Sequence, residues 1–142
     1  MNRDRLNQKD ANALNDMSAA IGAFNVIQGW RKRGDSIRAA LQEHAPELVE
    51  VFTGYQQMAE IALIHSELSE ALEGVRKGLF DDHLPHRTTL EVEMGDVQIR
   101  TLDFSNHWGL DLGNATVEKA EYNRTRADHK FENRMAQGGK KF

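Results

Sequence analysis

The segment Ile64–Gly74, "IHSELSEALEG", decides how this chain is interpreted. Its apolar residues recur every three or four positions, which is typical of a helix with one buried face. Glu67 and Glu70 lie one turn apart at the edge of that apolar stripe. Because a helix turns by about 100° per residue, both carboxylates fall on the same side as Leu63 and Gly74. This flank is therefore partly apolar, and it leaves space beside the carboxylates.

The segment belongs to a long helix that the periodicity predicts over residues 47–77. We expect the apolar stripe of this helix to pack into the core of the chain. The stripe consists of Ile61, Ile64, Leu68, Ala71, Leu72 and Val75. Glu73 points away from the stripe, and we expect it in solvent.

The rest of the chain also favours helices. Thr88 and Glu91 have the spacing of a capping box, which predicts that a helix begins near residue 89. No segment alternates convincingly as a strand would. The pattern therefore predicts an all-α fold in a single domain over residues 1–142, with a flexible N-terminus (1–10) and a basic tail (128–142). The other predicted helices cover residues 12–28, 35–44, 89–104 and 115–126.

Composition excludes several classes of function. The chain of 142 residues contains no cysteine, which rules out disulfides, zinc–thiolate sites and thiol catalysis. Its formal net charge of −4 does not favour a stable complex with nucleic acid. No apolar run approaches a membrane span, and the N-terminal segment lacks the apolar region of a signal peptide. We therefore expect a cytoplasmic protein with no membrane partner.

The helix predicted over residues 89–104 has a polar stripe within an apolar surface. Charges on a mostly buried helix are costly unless they are paired or bound to a metal. This stripe contains three acidic residues and only one basic residue, so a divalent cation would balance its charge. The polar stripe consists of Glu93, Asp96, Arg100 and Asp103. The apolar residues around it, which we expect to be buried on several sides, are Leu90, Val92, Met94, Val97, Ile99, Leu102 and Phe104.

The two acidic pairs, Glu67 with Glu70 and Glu93 with Asp96, would together place four carboxylates around shared cations. Hard cations such as Mg²⁺ or Mn²⁺ prefer oxygen ligands and retain waters that can bind phosphates or be activated. The alternative is that each pair is simply a solvated helix flank, since 22 acidic residues in 142 make chance pairs common.

These motifs resemble a known family. "ExxE" at residues 67–70 followed by "ExxD" at residues 93–96 is similar to the metal motif of the MazG-like all-α nucleoside triphosphate pyrophosphohydrolases. Lys119, Asn123 and Arg126 resemble the K…N..R pattern on the helix that follows the motif in that family. The terminal "GGKKF" and the "NxxxGW" at residues 25–30 are similar to segments of small, often phage-encoded members.

The resemblance implies a helical bundle whose four-helix core is completed by dimerisation, with dimers that can pair into tetramers. It also implies hydrolysis of a (d)NTP to (d)NMP and pyrophosphate with two or more Mg²⁺ or Mn²⁺ ions in each site. Glu67, Glu70, Glu93 and Asp96 would hold the metal, and Glu67 or Glu70 would orient or deprotonate the attacking water. Lys119, Asn123 and Arg126 would contact phosphate or sugar. For a phage-encoded member, the location would be the host cytoplasm.

Other residues have weaker indications of a role in substrate binding. Trp30 can stack on a nucleobase or fill a helix junction, and Asn25 can bind a base edge or simply lie on the surface. Lys77 can reach a phosphate or favour the helix C-terminus through the dipole. Lys140 and Lys141 form either a flexible end or, as we favour, a basic flap over the substrate.

Base preference stays open on the sequence alone. Some phage-borne relatives act on dGTP, and the compact chain and its tail resemble them, so we favour dGTP or GTP. The alternatives are dUTP or dCTP, phosphoribosyl-ATP, and a non-catalytic helical interaction module. The sequence departs from the family pattern at Ser66, where the family often has another acid, and in the long polar segment 31–46.

Overall fold

The structure of the protein is a computed structural model that describes residues 5–139. This range is all-helical and contains no strand, apart from an isolated antiparallel bridge between Phe80 and Thr88. Short 3-10 helices cover Pro46–Leu48 and Ala127–His129. The α-helices are α1 (Gln8–Gln28), α2 (Lys32–His44), α3 (Val49–Lys77), α4 (Thr89–His107), α5 (Leu112–Thr125) and α6 (Phe131–Met135).

The all-α prediction is confirmed, and the main differences lie at helix ends. Helix α1 begins at Gln8, four residues before the predicted start, and α4 continues past Phe104 to His107. The segment predicted as a basic tail (128–142) contains the short helix α6. Residues 1–4 of the predicted flexible N-terminus and residues 140–142 of the predicted tail lie outside the described range.

The described chain divides into two compact units. The first, called the α5 unit, comprises residues 5–17 and 111–139. Within it, the start of α1 contacts the start of α5, where Ala11 is buried. The Asn15 amide donates to the Asp111 carboxylate over 2.8 Å, and its oxygen accepts from the Gly113 backbone N–H over 2.8 Å.

The second unit, called the α3–α4 unit, comprises residues 18–110. Its central feature is the packing of α3 against α4. The end of α1 is attached to this pair because the Ser18 hydroxyl donates to the Leu102 carbonyl over 2.8 Å. The buried residues of α3 are Glu67, Ala71 and Gly74, and those of α4 are Glu93, Leu102 and Ser105. Two of the acids predicted to hold metal are thus inside the helix interface.

The turn between α3 and α4 is defined at both ends by local chemistry. Helix α3 ends at Gly78, whose φ of 63° is the left-handed conformation that glycine adopts without steric cost. Helix α4 begins with the predicted capping box, in which Thr88 and Glu91 each accept a hydrogen bond from the other's backbone N–H. These caps set the point at which each helix stops and starts, and therefore the register of the two acidic pairs.

One sequence prediction about α3 is wrong for the single chain. The apolar stripe expected in the core is largely exposed, with 62% of Leu72 accessible to solvent. Instead, α3 turns toward α4 the flank that carries Glu67 and Gly74, together with Ala71, the buried member of the stripe. This flank can approach closely because Gly74 has no side chain: a Cβ there would lie 2.7 Å from the Thr89 Cβ.

The expectation that α4 is buried on several sides is likewise wrong for the single chain. Leu102 is buried, whereas Leu90, Met94 and Ile99 are exposed. The contacts that α4 makes with α3 and with the end of α1 do not cover an apolar surface that extends around most of the helix. In the described part of the chain, no helix combines the length and apolar character required to cross a membrane.

Candidate metal centre

Three carboxylates converge between α3 and α4. Glu67, Glu93 and Asp96 each offer an oxygen atom, and these atoms all lie within 4.8 Å of one another. Glu67 and Glu93 are only 6% and 9% exposed, respectively, and Asp96 is half-buried. The helices bring together one member of the first acidic pair and both members of the second.

The burial and mutual repulsion of these acids disfavour their charged forms. The pKa of Glu93 rises from 4.5 to about 7, first because of burial, then through a hydrogen bond with Glu67 and the charges of Glu70, Glu67 and Asp96. The pKa of Asp96 is also raised, mainly by burial and by the charge of Glu67, while Arg100 opposes this shift. Such shifts mark a cluster that gains from an added positive charge.

Within residues 5–139, two arginines pair with acids in or near this cluster. Arg100 Nε donates to Glu67 Oε1 over 2.5 Å. Arg31 pairs with Asp103, the third acid of the α4 polar stripe, so that Asp103 is compensated separately from the cluster. Arg100 is therefore the arginine that acts directly on the three converging acids.

Two further acids lie close to the cluster. Glu70, predicted as a metal ligand, is exposed and does not belong to the group of three, although its charge raises the pKa of Glu93. Asp81, in the loop after α3, contributes to the raised pKa of Asp96. The Asp81 carboxylate also accepts from the backbone N–H groups of His83 and Leu84, which shapes the loop.

A cavity of about 320 Å³ adjoins the carboxylates. Asp96 belongs to both, since it lines the cavity and offers an oxygen to the cluster. The volume is in the range of sites that enclose small organic ligands. Its lining mixes apolar and polar side chains: Asn25, Trp30, Arg31, Gly34, Gln56, Glu60, Leu63, Asp96, Ile99, Arg100, Asp103 and Phe104.

Glu60, in the cavity lining, is held by a network of donors. Its carboxylate accepts from the Trp108 indole N–H over 2.7 Å and from the Gln56 amide over 3.2 Å, and it lies 3.1 Å from His107 Nδ1. The other ring nitrogen of His107 lies 3.2 Å from Asp35. These contacts fix the position of an acceptor that faces the cavity.

The donor set of the cluster suits a hard divalent cation. All the converging ligand atoms are carboxylate oxygens, the type that Mg²⁺ and Mn²⁺ prefer. Burial, and then the neighbouring acids, raise the pKa of Glu93, so an added positive charge would favour its ionised form. Glu67, Glu93 and Asp96 therefore fit a metal, with Glu70 and Asp81 adding negative charge nearby.

The chain was compared with family models, with curated proteins and with solved structures. None of them matches it. A functional assignment therefore rests on the geometry of the described residues and on the sequence resemblance.

The residues predicted to bind the base lie at the cavity. Trp30 is 77% exposed at its edge, and Asn25 is half-buried in its lining. By contrast, Lys77 is absent from the lining and pairs with Glu73 over 2.7 Å. The structure therefore brings Trp30 and Asn25 to the cavity beside the acids, and it gives Lys77 a local partner on α3.

The residues of the K…N..R pattern belong to the α5 unit. The Lys119 ammonium lies 4.8 Å from the ring centroid of Tyr122, and the Arg126 guanidinium pairs with Asp128 over 2.6 Å. The Asn123 Oδ1 atom is buried without a hydrogen-bond partner in the described chain. Lys119 and Asn123 line a shallow groove along α5. Lys140 and Lys141, predicted to form a flap, lie outside the described residues.

Sequence reasoning missed Asp81, Glu60 and His107. Asp81 follows a glycine turn in a loop, where nothing distinguishes it from Asp82. Glu60 is seven residues before Glu67, a spacing that returns it to the same face of α3, and this signal was available. The helix predicted over residues 89–104 ends before His107, whereas α4 continues to that residue.

Proposed function

We propose that the protein is a metal-dependent nucleoside triphosphate pyrophosphohydrolase of the MazG-like type. The observation that carries this proposal is the convergence of Glu67, Glu93 and Asp96 within 4.8 Å, beside a cavity sized for a nucleoside. Mg²⁺ or Mn²⁺, with two or more ions per site, would supply charge neutralisation for a polyphosphate. The acidic motifs support this class over a non-catalytic module, which has no use for buried, like-charged carboxylates.

The proposed reaction is attack of a water oxygen on the α-phosphorus. A P–O bond forms to the water oxygen as the anhydride bond between the α and β phosphates breaks. Pyrophosphate leaves and the nucleoside monophosphate remains, while the proton of the water passes to a carboxylate. The chain must therefore supply a proton acceptor beside the site, as well as groups that hold the phosphates.

Glu70 is the better candidate for the proton acceptor. Glu67 already accepts a hydrogen bond from Arg100, and it is one of the converging ligands. Glu70 has no hydrogen bond or ion pair within residues 5–139, yet it lies close enough to affect the pKa of Glu93. An exposed carboxylate one turn from a ligand can orient a water and accept its proton.

The test is incubation of the purified protein with each (d)NTP and Mg²⁺ or Mn²⁺, with pyrophosphate, monophosphate and orthophosphate assayed separately. We expect equal amounts of monophosphate and pyrophosphate. Release of orthophosphate would refute cleavage between the α and β phosphates. Phosphoribosyl-ATP, dUTP and dCTP are included because the resemblance allows them as substrates.

Two variants separate the proposed roles. Glu70→Gln should lower kcat by roughly 10²- to 10⁴-fold, as expected for loss of a general base, while Mn²⁺ binding is retained. Asp96→Asn should weaken Mn²⁺ binding and turnover together, because it removes a ligand. Circular dichroism should show unchanged helix content in both variants. Wild-type turnover in either variant would show that the metal site or the base is misplaced.

We favour dGTP or GTP as the substrate, and Glu60 supports this choice. Trp108, Gln56 and His107 occupy three of the roughly four acceptor positions of the Glu60 carboxylate, which leaves one for a donor such as the 2-amino group of guanine. Glu60 is a fixed acceptor in the cavity lining, with Trp30 and Asn25 in the same lining. Uracil and thymine carry no amino group for this contact.

The proposal includes a homodimer, with a tetramer as a further possibility within the class. The exposed apolar residues of α3 support it, because such a contiguous surface is unusual for a monomer in water. A second copy of the chain would cover these residues and complete the four-helix core. The residues concerned are Ile61, Leu68, Leu72 and Val75.

A further inference from the structure

Arg100 occupies an unusual position between the acid cluster and the cavity. It lies one turn after Asp96 on α4, and its Nε donates to Glu67 Oε1 over 2.5 Å. Its side chain is 41% exposed and contributes to the cavity lining. One side of the guanidinium thus contacts a proposed metal ligand, while the residue also borders the space proposed for the substrate.

The acid cluster needs this positive charge when no metal is bound. Glu67, Glu93 and Asp96 lie within 4.8 Å of one another, and two of them are buried. Buried carboxylates without compensating charge are strongly unfavourable. Of the arginine and lysine side chains in the described range, Arg100 is the one that pairs with a member of this cluster.

We propose that Arg100 is an internal counter-ion that competes with the divalent cation for the acid cluster and then binds the phosphates of the substrate. This inference rests on the proposed function. A guanidinium and a cation that share Glu67 repel each other, so each weakens the binding of the other, and this coupling is reciprocal. Arg100 therefore lowers the affinity of the acid cluster for the divalent cation when no substrate is bound.

The second role rests on the unused donors of Arg100. Within the described residues, its Nη atoms have no hydrogen-bond partner, whereas its Nε is engaged by Glu67. A planar guanidinium with free N–H groups suits the bidentate binding of phosphate. Because the residue borders the cavity, a polyphosphate held at the cluster would lie within reach of these donors.

The two roles predict opposite effects of one substitution. Arg100→Gln should bind Mn²⁺ on the order of tenfold more tightly in the absence of substrate, because a repelling charge is gone. The same variant, saturated with Mn²⁺, should bind a phosphate ligand about tenfold more weakly, because a charge-assisted contact is lost. A residue that only supports the fold would weaken both or change neither.

The experiment measures both affinities on the full chain. Mn²⁺ binding is followed by electron paramagnetic resonance, and binding of imidodiphosphate, a non-hydrolysable pyrophosphate analogue, by calorimetry in saturating Mn²⁺. Arg76→Gln is the matched control, since it removes the same charge from an exposed pair with Glu73 on α3. Arg100→Lys keeps the charge and should keep the affinity for Mn²⁺ near that of the wild type while weakening imidodiphosphate binding.

The outcomes separate this proposal from the proposed function. If the wild type binds Mn²⁺ and Arg100→Gln binds it equally or more weakly, the counter-ion role is overturned while the metal site stands. If the wild type binds no Mn²⁺, both proposals fail. If Arg76→Gln also binds Mn²⁺ more tightly, and by the same factor as Arg100→Gln, the effect comes from the net charge of the protein. That result would overturn the proposal. Unchanged imidodiphosphate affinity in Arg100→Gln would overturn the phosphate role.

A folding defect would not obscure the result. Without Arg100, the acids repel one another, so the metal-free variant can be less stable than the wild type. The counter-ion role then requires Mn²⁺ to restore the helical circular dichroism signal of Arg100→Gln. Failure of Mn²⁺ to restore that signal would overturn the proposal.

Discussion

The pKa values of individual carboxylates in this protein shift in different directions according to their surroundings. Glu93 and Glu73 are both glutamates on long helices, yet the pKa of Glu93 is raised and that of Glu73 is lowered. Burial and neighbouring acids cause the first shift, whereas hydrogen bonding from Lys77 is the largest cause of the second. A count of acids in the sequence could not separate these two cases.

The raised pKa of Glu93 predicts how the stability of the metal-free protein depends on pH. Between pH 4.5 and about 7, the folded state keeps a proton on Glu93 that the unfolded state has lost. The contribution of Glu93 to stability should therefore be most favourable below pH 4.5 and fall as pH rises toward 7, by on the order of 3 kcal/mol. The raised pKa of Asp96 acts in the same direction.

Urea unfolding in EDTA across this pH range tests the prediction. Glu93→Gln, which cannot lose a proton, should show a clearly smaller decrease, and the exposed Glu43→Gln should behave like the wild type. Saturating Mn²⁺ should stabilise the protein more at high pH, because ligands must be deprotonated to bind metal. Equal pH slopes for the wild type and Glu93→Gln in EDTA would contradict the pKa assignment.

The position of Glu60 in the cavity lining predicts that the protein prefers dGTP to dITP, whose base lacks the 2-amino group. If the Glu60 carboxylate accepts from that group, kcat/KM for dGTP should exceed that for dITP by roughly 10- to 100-fold. In Glu60→Gln, which can still accept from Trp108, the ratio should approach one. The ratio is measured within each protein, so general damage to the site does not affect it. An unchanged ratio would remove Glu60 from base recognition.

At the level of helices, the fold depends on how closely α3 can approach α4. Gly74 is a point of close approach, and the capping box at Thr88 sets the start of α4 just beside it. These two features align Glu67 with Glu93 across the interface. Small errors in this spacing would move the ligand oxygens apart.

Gly74→Ala should therefore destabilise the protein by roughly 1–3 kcal/mol, the cost of overpacking a tight contact. The added Cβ would meet the Thr89 side chain at 2.7 Å. Gly54→Ala on the same helix is the control, since no atom lies within 4 Å of its added Cβ. It should stabilise by about 0.5–1 kcal/mol through helix propensity. Thermal and urea unfolding measure both changes, and similar effects of the two substitutions would contradict the close approach.

Much of the helical structure could be predicted from the sequence, because local signals determine it. The capping box at Thr88 and the glycine at position 78 mark helix ends by their own chemistry. The face that α3 buries could not be predicted in this way. Periodicity identifies an apolar stripe through Leu68 and Leu72, but it does not state which surface covers that stripe.

In the candidate site, likewise, the sequence predicts the residues that belong to local motifs but not those that the tertiary fold brings close. Glu67, Glu93 and Asp96 were identified from motif spacing, and the structure places them together. Asp81 was missed because its position near Asp96 depends on how the loop after α3 folds back. A loop acid gives no periodic signal, so only the tertiary arrangement reveals it.

At the scale of the whole molecule, few large apolar side chains among residues 5–139 are buried. Leu102 is fully buried, whereas Leu72 and Val75 on α3 are more than half exposed. A chain of this size normally buries a larger core. The proposed dimer accounts for the difference, because it would transfer the exposed apolar surface of α3 from water into an interface.

Analytical ultracentrifugation should therefore show a dimer or a larger even-numbered assembly. Leu72→Arg places a charge within the exposed apolar stripe and should shift the protein toward monomer or lower its Tm. Glu43→Arg on the polar surface of α2 serves as the control and should leave the association state unchanged. A monomeric wild type at micromolar concentration would refute the dimer, and an unaffected Leu72→Arg dimer would place the interface elsewhere.

The cavity also gives the protein an optical reporter of its own state. The chain has two tryptophans. Trp30 lies in the cavity lining, and Trp108 stacks on His107 while its indole N–H donates to Glu60. A ligand that enters the cavity would change the emission of Trp30 directly and that of Trp108 through Glu60. In Trp30→Phe, the remaining fluorescence comes from Trp108 alone, so filling of the cavity can be followed in real time without a label.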